Sequence, residues 1–283
     1  MSAAAEVAAL PRRGRASPGR SRMLFLVFWA CGGLLLVSIV APLVALATLE
    51  SPANVMHVAA SQEVRAAIEL SLAAAGLAAL IAAALGFPLA YVLAHGDFPG
   101  KRVVEAVIDI PLAVPHTVAG IALLAVYGRR GLFGAALGAA FGLKFWGTLA
   151  GIVVGMLFVS APFAVNAARI GFEAIDPKLE KVARTLGAGP WTVLARVTLP
   201  LAWRSLLTGV TLTFARAISE VGAVIILAYY PMTAPIKIYE LFLRFGLREA
   251  AGMALLVLVI ALGLFIALRY LASGRDPRAE ARR

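Results

Sequence analysis

The chain is poor in the residues from which catalytic and disulfide-stapled sites are built. One cysteine and three histidines occur among 283 residues, so no intrachain disulfide framework is possible and no Cys/His metal spacing is found. Charge is scarce too, at 14% of residues against about 25% in an ordinary soluble domain. Acidic residues are the scarcer sign: 15 Asp plus Glu stand against 26 Lys plus Arg, a formal net charge of +11. Paired carboxylates at acid/base spacing, a nucleophile elbow and a phosphate-cradling Gly-x-x-x-x-Gly-Lys-Ser/Thr loop are all missing. Enzyme chemistry is therefore not expected on this chain, and neither is ATP hydrolysis by the usual loop.

What the chain has instead is apolar length. Hydrophobic residues make up 61% and the mean hydropathy is +0.91. A basic nucleic-acid-binding domain would need its charge gathered on a water-facing surface with polar cover elsewhere, and too few polar residues remain for that. An all-α integral membrane protein is expected. Residues 1–22 read as a disordered basic cytoplasmic tail, and residues 271–283 as a second cytoplasmic tail. Cys31 follows a basic stretch and a short apolar one, as a lipoprotein cleavage site would. The bulk of Trp29 beside it and an apolar run that continues to Leu49 argue against cleavage.

A helix crossing about 30 Å of hydrocarbon needs about 20 mostly apolar residues. Six runs qualify: Met23 to Leu49, Ile68 to Ala94, Val103 to Tyr127, Trp146 to Ile170, Leu201 to Ala228 and Ala250 to Tyr270. Leu132 to Leu143 is too short to span and reads as interfacial or re-entrant. Cytoplasmic loops carry the excess of Lys and Arg. Starting the N-terminus inside places 18 of the 26 basic residues on the cytoplasmic side and seven outside, with Arg216 within a span. Both termini are expected in the cytoplasm. Pro111 and Pro115 should break the third run, which makes it a candidate pathway helix or simply a packing kink.

The most informative segment is the polar stretch 171–200, on the expected cytoplasmic side. Asp176-Pro177 starts a helix with proline in its first turn. Leu179, Val182, Ala183 and Leu186 follow at offsets 0, 3, 4 and 7, one apolar stripe. Gly187 should end that helix, and Pro190 should begin another that runs through Trp191, Leu194 and Val197 to Leu199-Pro200. The result is an elbow with an apolar edge rimmed by Lys178, Lys181, Arg184 and Arg196. It suits either a partner protein or the lipid headgroups.

The spacing Lys181-Val182-Ala183, three residues, Gly187, nine residues, Val197-Thr198-Leu199-Pro200 resembles the Glu-Ala-Ala loop of the permease subunits of binding-protein-dependent ABC importers. Lys181 takes the place of that family's Glu, with Glu180 immediately before it. Arg216-Ala217-Ile218-Ser219-Glu220-Val221-Gly222 resembles a signature of the oxyanion branch, the molybdate, tungstate and sulfate permeases. The stretches 109–120 and 228–235 look most like tungstate and molybdate permeases. The similarity covers roughly residues 60–270. It implies a homodimer, two cytoplasmic ATP-binding subunits that carry the ATP and Mg, and an external solute-binding protein, in a bacterial or archaeal cytoplasmic membrane. No cofactor is implied on the chain itself. The ATPase-coupling residues would be Asp176, Pro177, Glu180, Lys181, Val182, Ala183, Gly187, Val197, Leu199 and Pro200. Sulfate is the alternative cargo.

Arg216 and Glu220 lie one turn apart inside the fifth run. A lone charge at mid-bilayer costs about 2.5–3.5 kcal/mol on insertion scales, so the two should pair or face a polar cavity. They read as a structural clasp, a dimer contact, or with Gly222 a guide for a dianion. Asp109 and His116 are weaker pathway candidates. An ion-gradient-driven secondary transporter, the reading from a different class, would want more intramembrane acids than Glu220 and Asp109.

Overall fold

The computed structural model describes residues 18–273, and it is helical with no strand among them. Two compact units divide it, Met1–Leu49 and Glu50–Arg283. Within the first, α1 (Pro18–Leu49) is one helix of 32 residues. It starts before Met23, so the tail expected over 1–22 is helical from Pro18 onward; residues 1–17 lie outside the described residues. Phe25, Trp29, Leu34, Leu36 and Val44 are all exposed on it. A helix that is apolar on every face needs lipid or another chain around it.

The second unit starts with α2 (Pro52–Ala60), capped by the Ser51 hydroxyl, and α3 (Gln62–His95). After α3 come α4 (Lys101–Ala113), α5 (His116–Tyr127), α6 (Leu132–Phe141) and α7 (Leu149–Glu173). The elbow supplies α8 (Pro177–Thr185) and α9 (Pro190–Val193), and a π-helical turn (Leu194–Thr198) leads into α10 (Leu199–Ile218). The chain ends with α11 (Gly222–Leu227), α12 (Ala234–Phe245) and α13 (Leu247–Ser273). The sixth expected run thus extends to Ser273, and 274–283 lie outside the described residues.

The nucleus is α3, α7 and α10 packed side by side. On α3 the buried positions are nearly all small, among them Ala74, Ala75, Ala78, Ala82, Gly86 and Ala90. Its large residues Leu77, Leu80, Leu85 and Leu89 point outward and are exposed. That is the reverse of a water-soluble helix. Small side chains let backbones close in where no water drives association, and large ones face the solvent hydrocarbon. Ala74, Ala75 and Ala78 share one cluster with Ile152 and Met156 of α7 and Ala217 of α10.

Among the described residues, four helices are long and apolar enough to cross a membrane: Arg22–Leu49, Gln62–His95, Leu149–Glu173 and Leu247–Leu268. The third expected run differs from a kinked helix. α4 and α5 meet at 113° across Val114-Pro115. At 1.5 Å per residue each is only about 18–20 Å long, so this run makes a fifth span only as a broken pair. The fifth expected run is interrupted as well, because α10 stops at Ile218 and α11 restarts at Gly222. α6, at ten residues, is a short apolar helix as its length suggested. α12 has no counterpart in the six-run reading; Lys237, Glu240 and Arg244 disguise its buried face, where Ala234 and Ile236 pack.

Candidate functional site: an exposed elbow and a buried polar break

Local signals build the elbow as its sequence suggests. The Asp176 carboxylate accepts from the Lys178 amide at 2.9 Å and caps α8. The helix ends at Leu186, and Gly187 takes φ +87°, a left-handed turn that glycine enters without steric cost. Leu179, Val182 and Leu186 stay exposed along α8, with Leu186 at 83% and nearby Trp191 at 82%. Ala183 is half-buried beside them.

One expectation about the elbow changes. The second helix does not stop at Leu199-Pro200 but continues from Pro190 through the π turn into α10, unbroken to Ile218. Pro200 sits in the first turn of α10. The wider turn before it, with its i to i+5 bonding, accommodates a residue that has no amide hydrogen to donate. Val197 and Leu199 flank the change of pitch.

Glu180 carries the elbow's anchoring. It is 6% exposed and accepts from the Thr198 hydroxyl at 2.6 Å. His95 Nε2, at the end of α3, lies 3.2 Å from the same oxygen, and the Arg184 guanidinium is 3.8 Å from the other. Lys181, in the family's glutamate position, points outward and is exposed. Neither His95 nor Thr198 was singled out from the sequence. They lie 85 and 18 residues from Glu180, beyond any local pattern.

The second polar site is the break between α10 and α11. Arg216 Nη2 donates to Glu220 Oε2 at 2.8 Å, and Glu220 Oε1 accepts from the Ala223 amide at 2.8 Å. With Glu220 only 1% exposed, both its oxygens are satisfied by charge-assisted bonds. His116, the first residue of α5, places Nε2 2.9 Å from the same guanidinium nitrogen. The Pro115 turn delivers it there. Gly222 permits the approach, because a Cβ on it would come within 2.6 Å of the His116 Cβ. Arg216, Glu220, Gly222 and Pro115 therefore meet in one place, and the histidine read as a weaker candidate joins them.

Pro111 lies elsewhere. It lines an apolar cavity of about 360 Å³ between α3, α4, α5 and α7, together with Gly86, Ile108, Phe158 and Pro162. Asp109 is held by Asn166 of α7 at 2.7 Å, and one turn earlier Glu105 takes a 2.6 Å ion pair from Arg169. These two rungs lock α4 onto α7.

A bundle with small residues buried and leucines exposed, a broken intramembrane helix pair and a projecting amphipathic elbow together define a membrane permease. Residues 86–277 match the family model described as the binding-protein-dependent transport system inner membrane component, and the chain belongs to that family. It is 47% identical over 210 residues, 74% of this chain and 79% of the relative, to the molybdate/tungstate transport system permease protein WtpB of Thermococcus kodakarensis. Over 255 residues, 89% of this chain and 97% of the relative, it is 42% identical to the protein of the same name from Pyrococcus abyssi. A probable sulfate transport system permease protein, cysT of Nephroselmis olivacea, is 33% identical over 261 residues, 88% of this chain and 92% of the relative. Among solved structures, a bacterial ABC transporter involved in alginate import superposes with a TM-score of 0.71 at 18% identity, covering 90% of this chain and 96% of that one. That likeness concerns the fold.

Proposed function

We propose that the chain is the membrane-embedded subunit of an ABC importer that carries a tetrahedral oxyanion, tungstate or molybdate, into the cytoplasm. Two copies form the pathway and two ATP-hydrolysing subunits, with their ATP and Mg, bind the elbows. An external solute-binding protein delivers the anion. The chain itself holds no nucleotide and no cofactor. The carrying observation is the row Leu179, Val182 and Leu186 with Trp191, left exposed on a helix whose other side is anchored by buried Glu180. An exposed apolar row on a rigid short helix is a docking surface for a groove in a partner. Closure of the ATPase pair then swings α8, and the unbroken helix from Pro190 to Ile218 carries the motion into the bundle as a rigid-body switch.

In this reading the chain crosses a bacterial or archaeal cytoplasmic membrane six times, the broken α4–α5 and α10–α11 stretches each counting as one crossing, with both termini inside. The tails beyond the spans, 1–17 and 274–283, stay in the cytoplasm. Arg216 and Glu220 form a clasp that shapes the pathway at the α10–α11 break, with Gly222 and Pro115 setting its distances and Pro111 bending the neighbouring helix. The names of the relatives at 47% and 42% identity support molybdate or tungstate as cargo, and the relative at 33% supports sulfate as the second reading. In proteoliposomes containing this chain, its ATPase and its binding protein, ATP-dependent molybdate uptake that excess tungstate suppresses and excess sulfate does not is the expected result. Suppression by sulfate at equal concentration would transfer the assignment to sulfate. Gly187→Pro, impossible at φ +87°, and Ala183→Arg should abolish ATPase association while the chain still inserts.

A further inference from the structure

The carboxylate of Glu180 does more than cap an elbow. Its Oε1 gathers donors from two other elements: the Thr198 hydroxyl on the π turn at 2.6 Å and His95 Nε2 on the last residue of α3 at 3.2 Å. Thr198 is completely buried. His95 faces an acceptor at each ring nitrogen, the Glu180 carboxylate at Nε2 and the Tyr91 carbonyl oxygen at Nδ1, 3.1 Å away. The imidazole is also stacked on the Tyr91 ring, centroids 4.2 Å apart, and the Tyr91 ring meets Phe172 of α7 edge-on at 5.6 Å. One buried carboxylate thus ties α8 to α3 and to the root of α10, and an aromatic stack joins the same spot to α7.

Helix α8 has only nine residues and is flanked by the turn at 174–176 and the glycine turn at 186–189. Such a segment would pivot about its ends under load unless a side chain fixed its rotation. Glu180 lies about 100° round the helix from Leu179, off the exposed apolar row, so the tether leaves the docking face free. We propose that His95 and Thr198 are positioning residues of the coupling step: through Glu180 they make α3 a second arm of the transmission. Movement of α8 is delivered to α3 directly as well as to α10 through the chain. This rests on the reading of the elbow as the ATPase docking site.

The test uses the full chain assembled with its ATPase in proteoliposomes and supplied with molybdate-loaded binding protein. Two quantities are measured: the amount of ATPase retained by the purified chain, and the ATP hydrolysed per molybdate imported. His95→Leu and Thr198→Val should retain the ATPase at the wild-type level and raise the ATP hydrolysed per anion severalfold. His95→Gln, whose amide nitrogen reaches the Nε2 position, and Thr198→Ser should restore the wild-type ratio. A role confined to folding would lower uptake and hydrolysis together and leave the ratio unchanged, and that outcome overturns the proposal. The two substitutions lie on different elements, so if one prevents insertion the other still decides. Failure of the wild-type chain to retain any ATPase would instead overturn the docking reading.

Discussion

Of the three carboxylates buried among the described residues, Glu180 and Glu220 sit at the elbow and at the α10–α11 break and are satisfied in different ways. Glu220 faces a guanidinium at 2.8 Å and a helix amide at 2.8 Å, which neutralises its charge and leaves its geometry little freedom. Glu180 is held by a hydroxyl and an imidazole, and its nearest guanidinium stands off at 3.8 Å and is half exposed. A closed ion pair suits a junction that must keep its shape while an anion passes. A carboxylate shared among donors from several elements suits one that must transmit movement among them. The number of elements that share the carboxylate therefore separates the clasp from the joint.

The largest effect is expected at the clasp. Glu220→Ala leaves Arg216 without its counter-charge, and breaking a buried pair by removing one partner costs about 3–5 kcal/mol. Thermal unfolding in detergent should register it. Glu180→Ala removes the shared acceptor of Thr198 and His95, and leaving a buried donor unsatisfied costs about 1–3 kcal/mol. Hydrogen exchange should show that loss confined to α8 and the π turn. Lys181→Glu changes an exposed side chain and should shift stability by less than about 0.5 kcal/mol. A loss as large as that of Glu180→Ala would mean the anchoring had been assigned to the wrong residue.

The smallest effect lies outside the spans. Burial pulls the Lys237 ammonium down, but hydrogen bonds and charge from Glu63 at 3.3 Å and Glu240 at 3.4 Å outweigh it and hold the group above its ordinary value. A raised lysine contributes its stabilisation fully below its ordinary titration range and loses it as pH rises through the raised value. Amide protection at the start of α3 and in α12, corrected for base-catalysed intrinsic exchange, should therefore fall only under strongly alkaline conditions.

Much of this fold is legible in the chain because membrane helices announce themselves by length and composition, and capping signals such as Asp176-Pro177 and Gly187 act within a few residues. The elbow was readable for that reason, down to its exposed stripe. What escaped reading depends on distance or angle. Pro111 and Pro115 mark a break but do not state the 113° between α4 and α5. Pro200 looks like a terminator until the π turn before it absorbs the missing donor. His116 meets Arg216 across 100 residues, and His95 meets Glu180 across 85, so neither pairing leaves a local trace. Lys181 stands in the family's glutamate position and is exposed, and the carboxylate that anchors α8 is that of its neighbour Glu180.

The docking role of α8 is tested most directly by Leu186→Asp, which charges a side chain that is 83% exposed and touches no part of the anchor. The variant should insert and unfold like the wild type yet no longer retain its ATPase on purification. Retention of the ATPase at the wild-type level would contradict the elbow as the coupling surface.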